Sequence, residues 1–340
     1  MQYGVDIAHQ NLLKSIKPSL AFDENANYEA WKKEVKEKLG ELLGDMPQKT
    51  DLNILVEWEK EYDDFNEKRI IFTAEKDVDV PCHLWLPKNG KKPCPVIICL
   101  QGHSSGMHIS MGRCIYDGDE EMVADGDRDF AIQIVREGYA ALVLEQRAFG
   151  ERKSEAVLRM QSNANTTCQH PAMTAILMGR TLIGERVWDI SRAIDMLETL
   201  PEIDKEKIAV MGNSGGGTAT YYAACMDERI KVAMPSCSVC TFERSIVAKR
   251  HCTCNYIPNI AKYLDMGDIA CLIAPRPLIV VAGEEDNGFF IDGVKKAYET
   301  IEKIYKKADA EGNCRLVTGG EGHRFYADIS WPVFKELSNW

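Results

Sequence analysis

Two hydrophobic periods alternate along this chain. "YEAWKKEVKEKLGELLG" carries Trp31, Val35, Leu39 and Leu42 at helical spacing, inside a charged segment that runs from residue 1 to about 50. Three stretches with strand character follow, around residues 54–58, around residues 70–73 and in a run ending at Pro87; they suit antiparallel strands at a sheet edge. From Pro95 the pattern changes. Residues 96–100, "VIICL", are continuously apolar, as a strand buried on both faces must be. A helix over "DRDFAIQIVREG" ends at Gly138, and a second buried strand covers residues 139–145. Further along, "GERVWDISRAIDMLETLP" predicts an amphipathic helix stopped before Pro201. Then come the strand "KIAVMG", the helix "GGTATYYAACM" and the strands "IKVAMPS" and "RPLIVVAG". The helix "GVKKAYETIEKIYKKA", the strand "CRLVTG" and a helical tail from Ala327 complete the pattern.

Strands alternating with helices require parallel crossovers. The expected fold is α/β: a mostly parallel, doubly wound sheet with helices on both faces and an N-terminal helical and antiparallel extension. Residues 1–50 form the helical extension and residues 51–340 the main domain. Two loop-rich insertions, near 147–183 and 236–270, follow the C-terminal ends of buried strands, where open α/β sheets hold their sites. They bring Phe149, Met178, Phe242 and Tyr256, which are expected to wall a shallow pocket.

Composition narrows the function. Apolar residues make up 45% and charged residues 27%, ordinary for a globular chain, and the formal net charge of −11 argues against nucleic acid or an anionic membrane as partner. No apolar run approaches the ~20 residues of a membrane helix. No basic start leads into an apolar core, so no export signal is read, and the twelve cysteines are expected as reduced thiols of a cytoplasmic protein.

The candidate chemistry centres on "VMGNSGGGTA". Gly212, Ser214 and Gly216 satisfy G-x-S-x-G, between a buried strand and a helix. That is the setting of a nucleophile elbow, in which glycines make room for a sharp turn and the serine hydroxyl projects above the sheet. A phosphate loop needs a lysine after its last glycine, and none follows here. Acid and base follow in the order used by α/β hydrolases. Asp286, with Glu284 and Glu285 as rivals, lies just past the strand "RPLIVVAG", and His323 lies in the Gly-flanked loop after "CRLVTG". The N–H groups of Gly215 and of His103, in the loop "QGHSSGMHISMG", are the candidate oxyanion donors. The side chains of His103 and His108 make only a weak metal pair.

These motifs carry a resemblance. "LQGHSSGMHIS", "EQRAFGER", "HPAMTAILMGRTLIGERVWDISRAIDML", "GNSGGGT" and "GGEGHRF" together resemble the dienelactone hydrolase-like α/β hydrolases, in the acetyl xylan esterase-like branch, over roughly residues 50–340. The resemblance implies an α/β-hydrolase fold and an esterase or deacetylase with a Ser–Asp–His triad. It implies no metal and no cofactor. Carried over by motif, the triad falls on Ser214, Asp286 and His323, and the oxyanion hole on Gly215 and His103. Serine stands where dienelactone hydrolase uses cysteine, so the lactone chemistry does not carry over.

Two further clusters have a sharp and a plain reading. Cys237, Cys240, His251, Cys252 and Cys254 could hold zinc, but the spacing is irregular, and a thiol-rich loop is the plainer reading. Arg147, with Glu145, Glu151 and Arg152, could bind substrate or could build an ion-pair network that fixes the first insertion. The expected function is a serine carboxylesterase that deacetylates small acetylated carbohydrates or related short-chain esters. Its partner is a small-molecule ester, and a homo-oligomer is compatible with the sequence. The rivals are a prolyl oligopeptidase-like serine peptidase and a catalytically silent binding protein on the same fold.

Overall fold

The computed structural model describes residues 4–159 and 167–340. Nine strands are formed among the described residues: β1 (Leu55–Glu61), β2 (Phe65–Glu75), β3 (Val78–Pro87), β4 (Cys94–Leu100), β5 (Ala140–Leu144), β6 (Ile203–Asn213), β7 (Ile230–Ser236), β8 (Leu278–Gly283) and β9 (Cys314–Gly319). They make one sheet in the order β1-β2-β3-β5-β4-β6-β7-β8-β9. The pairs from β1 through β3 to β5 are antiparallel, and every later pair is parallel. The antiparallel edge and the parallel body thus match the change of pattern at Pro95.

Period-two alternation explains how continuous apolar strands are buried. Val96, Ile98 and Leu100 of β4 join one core, while Ile97 and Cys99 join the other. Ten helices are assigned among the described residues: α1 (Asp6–Ser15), α2 (Tyr28–Leu43), α3 (Asp119–Ala124), α4 (Phe130–Arg136), α5 (Glu155–Arg159), α6 (Gln169–Leu177), α7 (Leu182–Leu197), α8 (Gly215–Met226), α9 (Ile291–Lys307) and α10 (Ala327–Ser338). Helices α2, α7, α8 and α9 cover the first face, and α4 and α10 the second. Each fully buried Ile or Leu contributes roughly 1.5–3 kcal/mol, so both faces are strongly driven to close.

Helix α2 starts at Asn27, whose side chain accepts from the Ala30 N–H. Its stripe of Trp31, Val35, Leu39, Leu42 and Leu43 is part of the main core, so this segment is integral to the domain. Strand β6 begins at Ile203, earlier than the apolar run, because Ile203 pairs with Cys94 at the start of β4. Since β4 to β9 run parallel, the loops that follow them leave the sheet at one common end.

Candidate active site

Ser214 is the single residue between the last residue of β6 and the first of α8, with φ 56° and ψ −119°. Such a backbone costs a non-glycine residue of order 1–3 kcal/mol and must be held by its surroundings. Two glycines hold it. A Cβ on Gly212 would lie 2.6 Å from the Gly216 carbonyl carbon, and one on Gly216 would lie 2.1 Å from the Leu100 carbonyl oxygen. The Ser214 N–H donates to the Ser236 carbonyl at 2.8 Å. The turn directs the N-terminus of α8, with its partial positive charge, at the serine.

Asp286 and His323 meet at this end of the sheet. His323 Nδ1 lies 2.7 Å from Asp286 Oδ2. The other carboxylate oxygen accepts from the Gly288 N–H at 2.7 Å and the Phe289 N–H at 3.1 Å. Burial works against ionisation, but the His323 contact and these N–H groups outweigh it and hold the Asp286 carboxyl below its ordinary range. An ionised carboxylate only accepts, so Nδ1 carries the proton and Nε2 is free to act as a base. Glu284 and Glu285 are exposed and take no part in this contact.

His323 and Ser214 line one cavity of about 570 Å³. His103 and Gly215 line it as well, so four of the five predicted catalytic and oxyanion residues border it directly; the fifth, Asp286, stands behind His323. Gly102 brings the loop after β4 close: its ideal Cβ would lie 3.2 Å from the Ser214 Cβ. The His103 ring is held edge-on by Phe149, with centroids 5.1 Å apart, and its Nε2 lies 3.2 Å from Cys254 Sγ. Burial lowers the basicity of this ring, but the Cys168 and Cys252 thiols raise it further, to about 9. His108 is turned elsewhere, with Nε2 2.8 Å from Asp119 Oδ2, so the two histidines of this loop do not form a metal pair.

Arg147 is outside the cavity lining. Its guanidinium is ion-paired with Glu75 at 2.7 Å, Asp189 at 2.8 Å and Glu185 at 3.5 Å, an ion-pair network as in the plainer reading but with other acids: Glu151 pairs with Arg69, and of the expected members only Arg152 joins, through Asp189. The expected bulky wall is also displaced. Phe149 and Phe242 are buried in cores, and Met178 and Tyr256 are largely exposed. Phe289 lines the cavity instead, its ring 6.0 Å from that of His323 and inclined by 14°.

The five-membered Cys/His group does not stay together. Cys237 Sγ donates to the Arg324 carbonyl at 3.2 Å, and Cys240 Sγ to the Arg244 carbonyl at 3.5 Å. His251 Nε2 lies 3.0 Å from the Gly288 carbonyl oxygen. Cys252 and Cys254 cluster with His103 and Cys168, while Cys237 sits apart from them beside Asp286 and His323.

Sequence reasoning named Glu145 only as a companion of Arg147 and missed other cavity residues altogether. Glu145, just past β5, accepts from the Gln101 side chain at 2.7 Å and the Met107 N–H at 3.2 Å, and so ties the loop after β4 to the loop after β5. Arg128, Lys249 and Arg250 line the cavity, and Arg128 donates to the His323 carbonyl at 3.2 Å. The dipeptide "KR" at 249–250 inside the second insertion was the available signal.

Residues 2–308 match the Abhydrolase family. The chain belongs to that family. A curated relative, YtaP of Bacillus subtilis (strain 168), is 24% identical over 314 residues, spanning 90% of this chain and 99% of that one. Among solved structures, a Bacteroides fragilis protein bearing an acetyl xylan esterase name aligns with a TM-score of 0.77 at 17% identity, over 98% of this chain and 84% of that one. A glucuronoyl esterase from Solibacter usitatus aligns with a TM-score of 0.69 at 15% identity, over 96% of this chain and 98% of that one. These likenesses establish the α/β-hydrolase fold.

Proposed function

We propose that this protein is a serine carboxylesterase that works through an acyl-enzyme on short-chain esters of small polar carbohydrates, acetyl esters first among them. The observation that carries the reading is Ser214 at its strained turn, sharing one cavity with a histidine whose Nδ1 is fixed 2.7 Å from a buried carboxylate. Ser214 attacks the ester carbonyl while His323 Nε2 takes its proton. Asp286 holds the imidazole in the required tautomer and balances its charge. The N–H groups of Gly215 and His103 receive the oxyanion, aided by the N-terminus of α8. His323 protonates the departing alcohol, and water then hydrolyses the acyl-enzyme with His323 again as base.

The esterase names of the structural neighbours support the reaction class, and the cavity supports a polar substrate. Its lining carries Arg128, Lys249, Arg250, Asn255 and Asn287, with no carboxylate among the lining residues. Such a surface offers hydrogen-bond donors to hydroxyl-rich sugars, and among the described residues Phe289 is the one large apolar side chain on it for a fatty chain. It also favours a second reading of the substrate, an ester whose alcohol or acyl part bears a carboxylate, which the basic side chains would attract.

The test joins labelling to turnover. A fluorophosphonate adduct on Ser214, found by peptide mass spectrometry, together with hydrolysis of aryl acetates and acetylated sugars, is expected. An unlabelled Ser214 with no turnover of any short-chain ester would sink the reading and favour a silent binding protein.

A further inference from the structure

Three loops that are far apart in sequence bring four metal-binding side chains together beside the catalytic cavity. His103 comes from the loop after β4, Cys168 from the residue before α6, and Cys252 and Cys254 from the insertion between β7 and β8. One donor atom from each lies within 4.8 Å of all the others. A tetrahedral zinc ion with Zn–S near 2.3 Å and Zn–N near 2.0–2.1 Å sets its donors about 3.5–3.8 Å apart, so only small side-chain rotations separate this cluster from a coordination shell.

We propose that His103, Cys168, Cys252 and Cys254 form a Cys3His site for zinc, which pins the oxyanion loop to both insertions.

Charge supports the assignment independently of distance. Arg186 is 1% exposed, and among the described residues no carboxylate lies within ion-pair distance of it. Its Nη2 instead donates to Cys168 Sγ at 3.2 Å, its Nη1 is buried without a partner, and its plane lies over the Phe149 ring at 4.3 Å. The Arg147 carbonyl accepts from Arg186 Nε at 3.2 Å and Nη2 at 2.7 Å but carries no charge, so without a thiolate beside it the buried guanidinium would be uncompensated, costing several kcal/mol. Three thiolates, a divalent cation and Arg186 sum to zero. A disulfide between two of the cysteines would leave at most one thiolate, enough to balance the arginine but too few donors to hold the ion.

Softness and coordination number then choose the ion and its role. Three thiolates and an imidazole suit zinc and exclude magnesium or calcium, which take oxygen donors. Four protein donors fill a tetrahedral shell, and a filled shell is the mark of a structural site rather than a catalytic one. What it would hold is specific. His103 and Cys252 line the catalytic cavity, and a Cβ on Gly215 would lie 2.7 Å from His103 Cε1. The four ligands are therefore positioning residues: fixing the His103 ring fixes the backbone beside Ser214. A metal ion competes with protons for these ligands, so apparent affinity rises with pH.

The experiment uses the full-length chain and has readouts separate from esterase turnover. Elemental analysis of protein purified without chelator is expected to give one zinc per chain. After exchange, cobalt(II) is expected to show the intense visible bands of tetrahedral coordination and thiolate-to-cobalt charge transfer. Cys168→Ser and Cys254→Ser should lose both signals, while Cys114→Ser, at an exposed cysteine outside the cluster, should keep them. Because a ligand variant can fail to fold, zinc release from the unaltered protein is titrated with a mercurial, and thiols are counted after denaturation. Zinc set free as the mercurial is consumed, with all twelve cysteines titrating, supports the site. No zinc and no cobalt bands, or two thiols fewer than twelve, would overturn it.

Discussion

His323 Nδ1 stands 2.7 Å from Asp286 Oδ2, and the second oxygen of that carboxylate is bound by two backbone N–H groups of its own loop. The carboxylate can therefore neither turn away nor release the imidazole easily. Asp286→Asn is expected to present an N–H to Nδ1, force the proton onto Nε2, and lower kcat by ~10⁴-fold in a folded protein. Glu285→Gln, at an exposed position, should leave kcat within about twofold. Steady-state kinetics on an aryl acetate distinguishes the two.

Ser214 gives a paired prediction. Ser214→Ala keeps the strained turn and should lower turnover by ~10⁴-fold or more. Ser214→Gly should be equally inactive but more stable by about 1 kcal/mol, since glycine accepts positive φ without a Cβ penalty. Chemical denaturation of both variants tests this; equal stability would mean that the turn stores no strain at residue 214.

Both outcomes rest on features that differed in legibility. The elbow was readable because its glycines, its serine and the flanking buried strand are contiguous. The Asp286–His323 pair was readable because each residue follows a strand by a few residues in chain order. Arg128 and Cys168 were not, nor were the contacts of Glu145 with Gln101 and Met107, because each arises from a loop whose path depends on the sheet order. The bulky wall failed for a related reason: side-chain size says nothing about whether a loop residue turns inward, and Phe289, in a short stretch past β8, took that place.

Glu145 should impose a pH dependence on stability. Burial pushes its carboxyl up to about 7 from 4.5, against the opposing pull of the Met107 and Glu151 N–H groups. Between those values the folded chain keeps a proton that the unfolded chain has released, so stability falls as pH rises through the window, by about 3 kcal/mol in all. Glu145→Gln mimics the protonated form, and the Gln101 amide oxygen, buried and unpaired, can accept from it after an amide flip. In urea titrations the variant's stability should therefore decline less than the parent's between pH 4.5 and 7, keeping only the part due to other raised carboxyls such as Asp268.

Arg147 should matter for stability and not for substrate. Its removal leaves Glu75 and Asp189 with one arginine each, Arg180 and Arg152, where they had two. Arg147→Met is expected to cost roughly 3 kcal/mol, with KM of the folded enzyme within about twofold. A large rise in KM with unchanged stability would restore the substrate-binding role.

Acyl length probes the polar cavity. Each methylene gains ~0.8 kcal/mol only where apolar surface can receive it, and here Phe289 is the main such surface. A series of aryl esters from acetate to octanoate should therefore favour acetyl over octanoyl by ~10-fold or more in kcat/KM. Rates that climb with chain length would indicate an open apolar groove.

The burial of α2 in the main core has a consequence for synthesis. Its segment is tied to chain made far later: the Phe22 N–H donates to Asp268, 246 residues on, and Lys32 donates to the Ala274 carbonyl, 242 residues on. On the ribosome, the stripe of Trp31, Val35, Leu39, Leu42 and Leu43 emerges early, yet its docking surface includes residues near 270. At ~5–20 residues per second, that stripe waits for tens of seconds without its partners. During that interval the nascent chain presents an amphipathic helix with an open apolar face, the kind of surface that chaperones occupy.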